Sequence, residues 1–154
     1  MAATPTQHRR ADRAWSALLR VHAHLVPQID TDLQRAAGLP LAWYDVLLEL
    51  DGAGPLRMTD LGNRVVLSRT RVSRLVTEMQ DAGLVARRPN PEDARSAFVD
   101  CTDTGRQHLR RAAPHYRDSI ATHLAARLDA TELDALATIL TKLLGPTDLP
   151  MPQP

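Results

Sequence analysis

The sequence predicts a mainly helical chain with one small β-hairpin, a fold that follows from three features of the 154 residues. Apolar residues recur every three or four positions in several separate runs, the period of helices with one buried face. One segment breaks that period: after Gly83, residues 84–88 and Ala97 to Cys101 can form two short strands around the turn-rich run PNPEDARS. Finally, residues 59–66 form a short helical candidate that only the Leu67-Ser68 junction separates from the next one, so the two helices must turn sharply. Helix, tight turn, helix and hairpin in that order describe a winged helix-turn-helix, whose second helix enters the major groove while the first braces it across the backbone.

The second helix of this motif is the most informative element. Ser68 can cap it, and Val72, Leu75, Val76 and Met79 recur at i, i+3, i+4 and i+7 as one face that must be buried. The opposite side carries Thr70, Ser73, Arg74 and Thr77, flanked by Arg69 and Arg71. These are side chains that hydrogen-bond bases and phosphates. In the hairpin, Arg88 and Ser96 flank the tip, and Arg95 is its outward cation.

The run SRTRVSRLVTEMQDAGLVARRPNPEDARSAFVDCTDTG, with Asp93-Ala94-Arg95 in the hairpin, resembles the MarR family of bacterial transcription regulators. The likeness extends more weakly over residues 9–145. It implies that Asp93 steadies the wing, that Arg95 reaches the minor groove, and that residues 56–58 add a short strand beside the wing. It also implies that the first and the last two helices interlock two subunits, and that a small aromatic or phenolic molecule bound between dimer helices and winged lobe lowers DNA affinity. The positions that match the urate-responsive branch are Trp15 and Asp45; with His22 and Trp43 they form the candidate effector site. Two departures, Gly62 for the usual alanine and Arg57 for a frequent capping threonine, imply a weaker first helix in the motif. The family's thiol sensors place a cysteine near the start of the first helix, where this chain has none.

The other elements follow in order. Trp15, Leu18, Leu19, His22, Leu25, Ile29 and Leu33 keep a helical period over residues 8–37, with Gly38 as the stop and Pro27 predicting a kink or a break. Pro40 starts a second helix over 41–51 with Trp43, Val46, Leu47 and Leu50 on its apolar stripe. Thr102 can cap a long helix to about Leu128, bent at Pro114. Asp129 and Glu132 have the spacing of a capping box for a last helix bearing Leu133, Leu136, Leu140, Leu143 and Leu144. The expected organisation is a helical dimerisation region of residues 8–37 and 103–145, a winged DNA-binding lobe of 40–101, and disordered tails at 1–7 and 146–154.

Composition narrows the function. Charged residues make up 24% and apolar ones 44%, ordinary for a globular chain, and no run approaches the roughly 20 apolar residues of a membrane span. The start MAATPTQHRR lacks the apolar stretch of a signal peptide, and one cysteine cannot form an internal disulfide, so a cytoplasmic location is expected. Net charge is only +1, but residues 57–88 hold seven arginines against three acids, the electrostatic footprint of a DNA-binding face. His22 and His24, two apart on a helix, point to different faces and do not make a metal site. Nucleotide-binding, nucleophile-elbow and zinc-protease motifs are all missing, so no enzyme activity and no cofactor are expected. The expected function is a sequence-specific regulator of double-stranded DNA: a ligand-responsive repressor acting as a homodimer on a pseudo-palindromic operator. The alternative is a winged-helix protein-interaction or architectural module, which would show apolar or acidic residues on the face that here carries arginines.

Overall fold

The computed structural model describes residues 4–65, 69–90 and 96–144, without the side chain of Arg69. The expected cap Ser68 and the wing-tip residues Asp93 and Arg95 lie outside the described residues. The chain folds as α1 (Pro5–Ala37), α2 (Leu41–Ala53), β1 (Leu56–Arg57), α3 (Met58–Arg64), α4 (Arg69–Asp81), β2 (Val85–Pro89), β3 (Ala97–Cys101), α5 (Asp103–His123), a 3-10 turn (Ala125–Arg127) and α6 (Ala130–Leu144). It is mainly helical with a small antiparallel sheet in the order β1-β3-β2, the winged helix-turn-helix architecture that the sequence predicts.

The two longest helices differ from expectation, and the ends of the shorter elements shift by one or two residues. α1 starts at Pro5 rather than residue 8, because Thr4 accepts a hydrogen bond from the Gln7 backbone N–H and Pro5 occupies the first turn, where its missing donor costs nothing. It also runs unbroken through Pro27, so of the expected kink or break the break does not occur. A single proline removes one helix hydrogen bond, and the helix beyond it is held by burial of Leu33 and by docking on α5. α5 ends at His123, not near Leu128, and a 3-10 turn over Ala125–Arg127 follows it.

The core lies where α2, α3, α4 and α5 close over the sheet. Val46, Leu47 and Leu50 of α2, Leu61 of α3, Val72, Val76 and Met79 of α4, and Val85 and Val99 of the sheet are all fully buried. The i, i+4, i+7 spacing in α4 therefore faces inward as its period requires, and Leu75 packs against the rim.

One corner fastens the winged lobe to the rest. Gly83 takes φ +73 after α4, and Leu84 N–H bonds the Met79 carbonyl while Gly83 N–H bonds Gln80, the paired bonds of a Schellman stop. Thr102 then ties this corner to α5: its backbone N–H donates to the Leu84 carbonyl at 3.0 Å, and its hydroxyl lies 2.7 Å from the Gly83 carbonyl while accepting the Gly105 N–H at 3.0 Å. Gly105 packs so closely that a Cβ there would collide with the Leu84 carbonyl oxygen. Because α5 docks along α1, the corner links the lobe to both long helices. At the far end of that packing, Asp32 of α1 pairs with His123 at 2.7 Å and accepts a hydrogen bond from the Ser119 hydroxyl at 2.9 Å, which together hold the Asp32 carboxyl below its usual pKa.

Candidate nucleic-acid interface

α4 presents its polar side to solvent because its apolar side is used up in the core. Thr70, Arg71, Ser73, Arg74 and Thr77 are all exposed along this face. Arg74 is poised by an exposed ion pair one turn away, with Nε 3.0 Å from Glu78 Oε1. Such a surface pair contributes little stability, but it restrains a side chain that would otherwise sample many rotamers.

The first helix of the motif is anchored from behind. Arg64 of α3 reaches Glu49 of α2 at 3.2 Å in a partly buried pair. At the start of α3, Arg57 makes no side-chain cap, the consequence expected from its standing where a threonine is frequent. The Arg57 guanidinium instead lies over the Phe98 ring of β3, 5.9 Å from its centre.

On the wing, β2 and β3 pair from Val85↔Cys101 to Pro89↔Ala97. Beyond the last pair, the Asn90 N–H donates to the Ser96 carbonyl and Asn90 Nδ2 donates to Ser96 Oγ at 2.7 Å, closing the base of the tip. Ser96 is thus used within the wing stem. Arg88, a sequence candidate for DNA, places Nη2 3.0 Å from Asp100, whose side chain is only 10% exposed and which also lies 3.9 Å from Arg106 of α5. Burying that carboxylate requires cationic partners, so Arg88 braces the wing against α5 and presents its remaining edge outward. Sequence reasoning missed its neighbour Arg87, which turns from β2 onto the polar face of α4. Strand alternation puts Arg87 on the same face as buried Val85, but does not reveal which helix lies over that face.

The candidate effector residues divide into two groups in the single chain. Trp15 (60% exposed) and His22 stand on the exposed N-terminal half of α1, whereas Trp43 and Asp45 are half-buried on α2. Burial, and next the charge of Glu49, raise the Asp45 carboxyl to about 6. Behind them Tyr44 and Tyr116 stack with ring centres 4.5 Å apart.

An exposed helix of arginines and hydroxyls, braced by a second helix and flanked by a wing, defines a DNA-binding winged helix-turn-helix protein. Residues 37–96 match the description "MarR family". AbsC, a MarR family transcriptional regulator from Streptomyces coelicolor, is 30% identical with a TM-score of 0.76, over 93% of this chain and 95% of that one. Sco3205, a MarR family regulator from the same organism solved in complex with DNA, is 28% identical with a TM-score of 0.79, over 99% and 98%. The transcriptional repressor IacR of Pseudomonas putida is 26% identical over 105 residues, 68% of this chain and 62% of that protein. The chain belongs to the MarR family of DNA-binding, non-enzymatic transcription regulators.

Proposed function

We propose that this regulator is a repressor that binds a pseudo-palindromic operator as a homodimer and is released by a small aromatic effector. The observation that carries the reading is the apolar surface outside the winged lobe. Leu19 and Val21 of α1 are about half exposed, Ile139 of α6 is 58% exposed and Leu143 71%, and α6 has no buried residue at all. Exposed apolar side chains on two helices are surface that a folded chain tends to cover, and a second copy, related by a two-fold axis, would cover the same patches on both partners. Two lobes on one duplex then gain effective concentration, and two-fold symmetry matches an inverted repeat. Repression is supported by the likeness to IacR. An aromatic ligand is supported by Trp43, the stacked tyrosines and half-buried Asp45 at the root of α2, against which α5 packs.

The test combines sedimentation of the intact chain with mapping of the sequence that it protects upstream of its own gene. A dimer that protects an inverted repeat overlapping the promoter, and dissociates when an aromatic carboxylate such as benzoate is added, is expected. A stable monomer, or protection of a single half-site, overturns the reading.

A further inference from the structure

α4 is held on its inner side by apolar packing: Val72, Val76 and Met79 are sealed in the core with Val85 at the start of β2. Such packing has no preferred direction, and a helix gripped along one side only can still roll about its axis. The roll matters here, because it decides which of the outward side chains meet base edges and which meet phosphate.

A directional contact sits on the opposite, outer side. From β2, where it is paired opposite Val99, Arg87 sends Nη2 across to α4, donating to Thr77 Oγ1 at 2.9 Å and to the Ser73 carbonyl oxygen at 3.2 Å. The Thr77 hydroxyl donates to that same carbonyl at 2.9 Å. The three groups close a triangle between the wing stem and one turn of the recognition helix. Thr77 has a single hydroxyl proton, already committed to Ser73, and one of its lone pairs is taken by Arg87. Both acceptors are engaged by one guanidinium nitrogen. Because its donors lie in a rigid plane, it can span two acceptors in a fixed direction, whereas a lysine ammonium is a freely turning point charge.

We infer that Arg87 is a positioning residue for operator recognition: its bonds to Thr77 and Ser73 fix the roll of α4 against the wing stem, and so the register in which Thr70, Arg71, Ser73 and Arg74 face the bases. The triangle is exposed, so its contribution to folding is small and its effect falls on recognition.

The test uses the full-length chain and a duplex that the wild type selects from a random pool, compared with a scrambled duplex of equal composition. Arg87→Lys keeps the charge, and should lower the ratio of operator to scrambled affinity by about tenfold, the size expected for coupled neighbours. Its salt dependence should stay as in the wild type, because no cation is lost. Thr77→Val should lower the ratio similarly, and Arg87→Lys with Thr77→Val should lose no more than the worse single variant, because the two side chains act as one unit. Melting temperatures should stay within a few degrees of the wild type. A wild-type ratio for Arg87→Lys, or additive losses in the double variant, overturns the inference; the first outcome would leave Arg87 as a phosphate-binding charge alone.

Discussion

Arg74 shows how one side chain can be both restrained and available. Its pair with Glu78 holds the guanidinium on the polar face of α4 without burying it, with the Arg74 side chain 83% exposed. If it reads a base, Arg74→Ala should weaken operator binding by about 1–3 kcal/mol and leave scrambled-duplex binding nearly unchanged. Titration against both duplexes checks this, and an unchanged ratio would assign Arg74 to the phosphates. Asp45 carries a different signature. Its carboxyl is raised from 3.8 to about 6, so the folded state holds that proton more tightly than the unfolded chain does. Its favourable contribution is therefore complete below about pH 3.8 and lost as pH rises through about 6. Asp45→Asn should accordingly stabilise the fold at pH 8, by an amount on the order of 2–3 kcal/mol at most, and change little at pH 4. Thermal melting across that range decides, and an equal shift at both ends would mean that ionisation is not the cause.

At the scale of elements, the corner between α4, β2 and α5 depends on the missing side chain of Gly105. Gly105→Ala would push a methyl group into the Leu84 carbonyl, with the Cys101 sulfur and the Leu47 side chain also in the way, so α5 must retreat from the corner. A destabilisation of about 1–3 kcal/mol or more is expected, read as a lower urea midpoint at unchanged slope. A wild-type midpoint would show that the corner yields freely. The elements whose reasons are local were legible in the sequence. The α4 stripe buries as its spacing requires, and the capping box closes as read, with Asp129 N–H donating to Glu132 Oε2 at 3.0 Å and Glu132 N–H to Asp129 Oδ1 at 2.9 Å. What the sequence hid depends on neighbours from distant parts of the chain. Pro27 signals a kink or a break, and docking on α5 keeps the helix continuous; the end of α5 carries no stop residue, and the partners of Arg87 and Arg88 depend on how the wing lies against α4 and α5. The polar face of α4 was found because one helix holds all of it. The clamp from β2 was not, because it needs two elements in register.

For the whole molecule, the proposed homodimer would make operator affinity depend on the exposed apolar faces of α1 and α6. Deleting residues from 131 onward removes nearly all of α6 and with it Ile139 and Leu143, and should convert the proposed dimer to a monomer with only the weak affinity of a single lobe. Sedimentation and operator titration of the truncated chain test this together; a truncated chain that remains dimeric would place self-association on α1 alone. A last consequence concerns Cys101, the chain's one thiol, 3% exposed behind the Gly105 corner and pushed up to about 11 by burial. In the closed lobe it is neither reachable nor ionised, so peroxide and alkylating reagents should pass it by. It can react only when the corner opens, which makes its alkylation rate a direct gauge of local breathing at the hinge between lobe and long helices. That rate, followed by mass spectrometry, should fall when operator DNA is added, reporting from inside the protein how far a grip on the duplex quiets the core behind it.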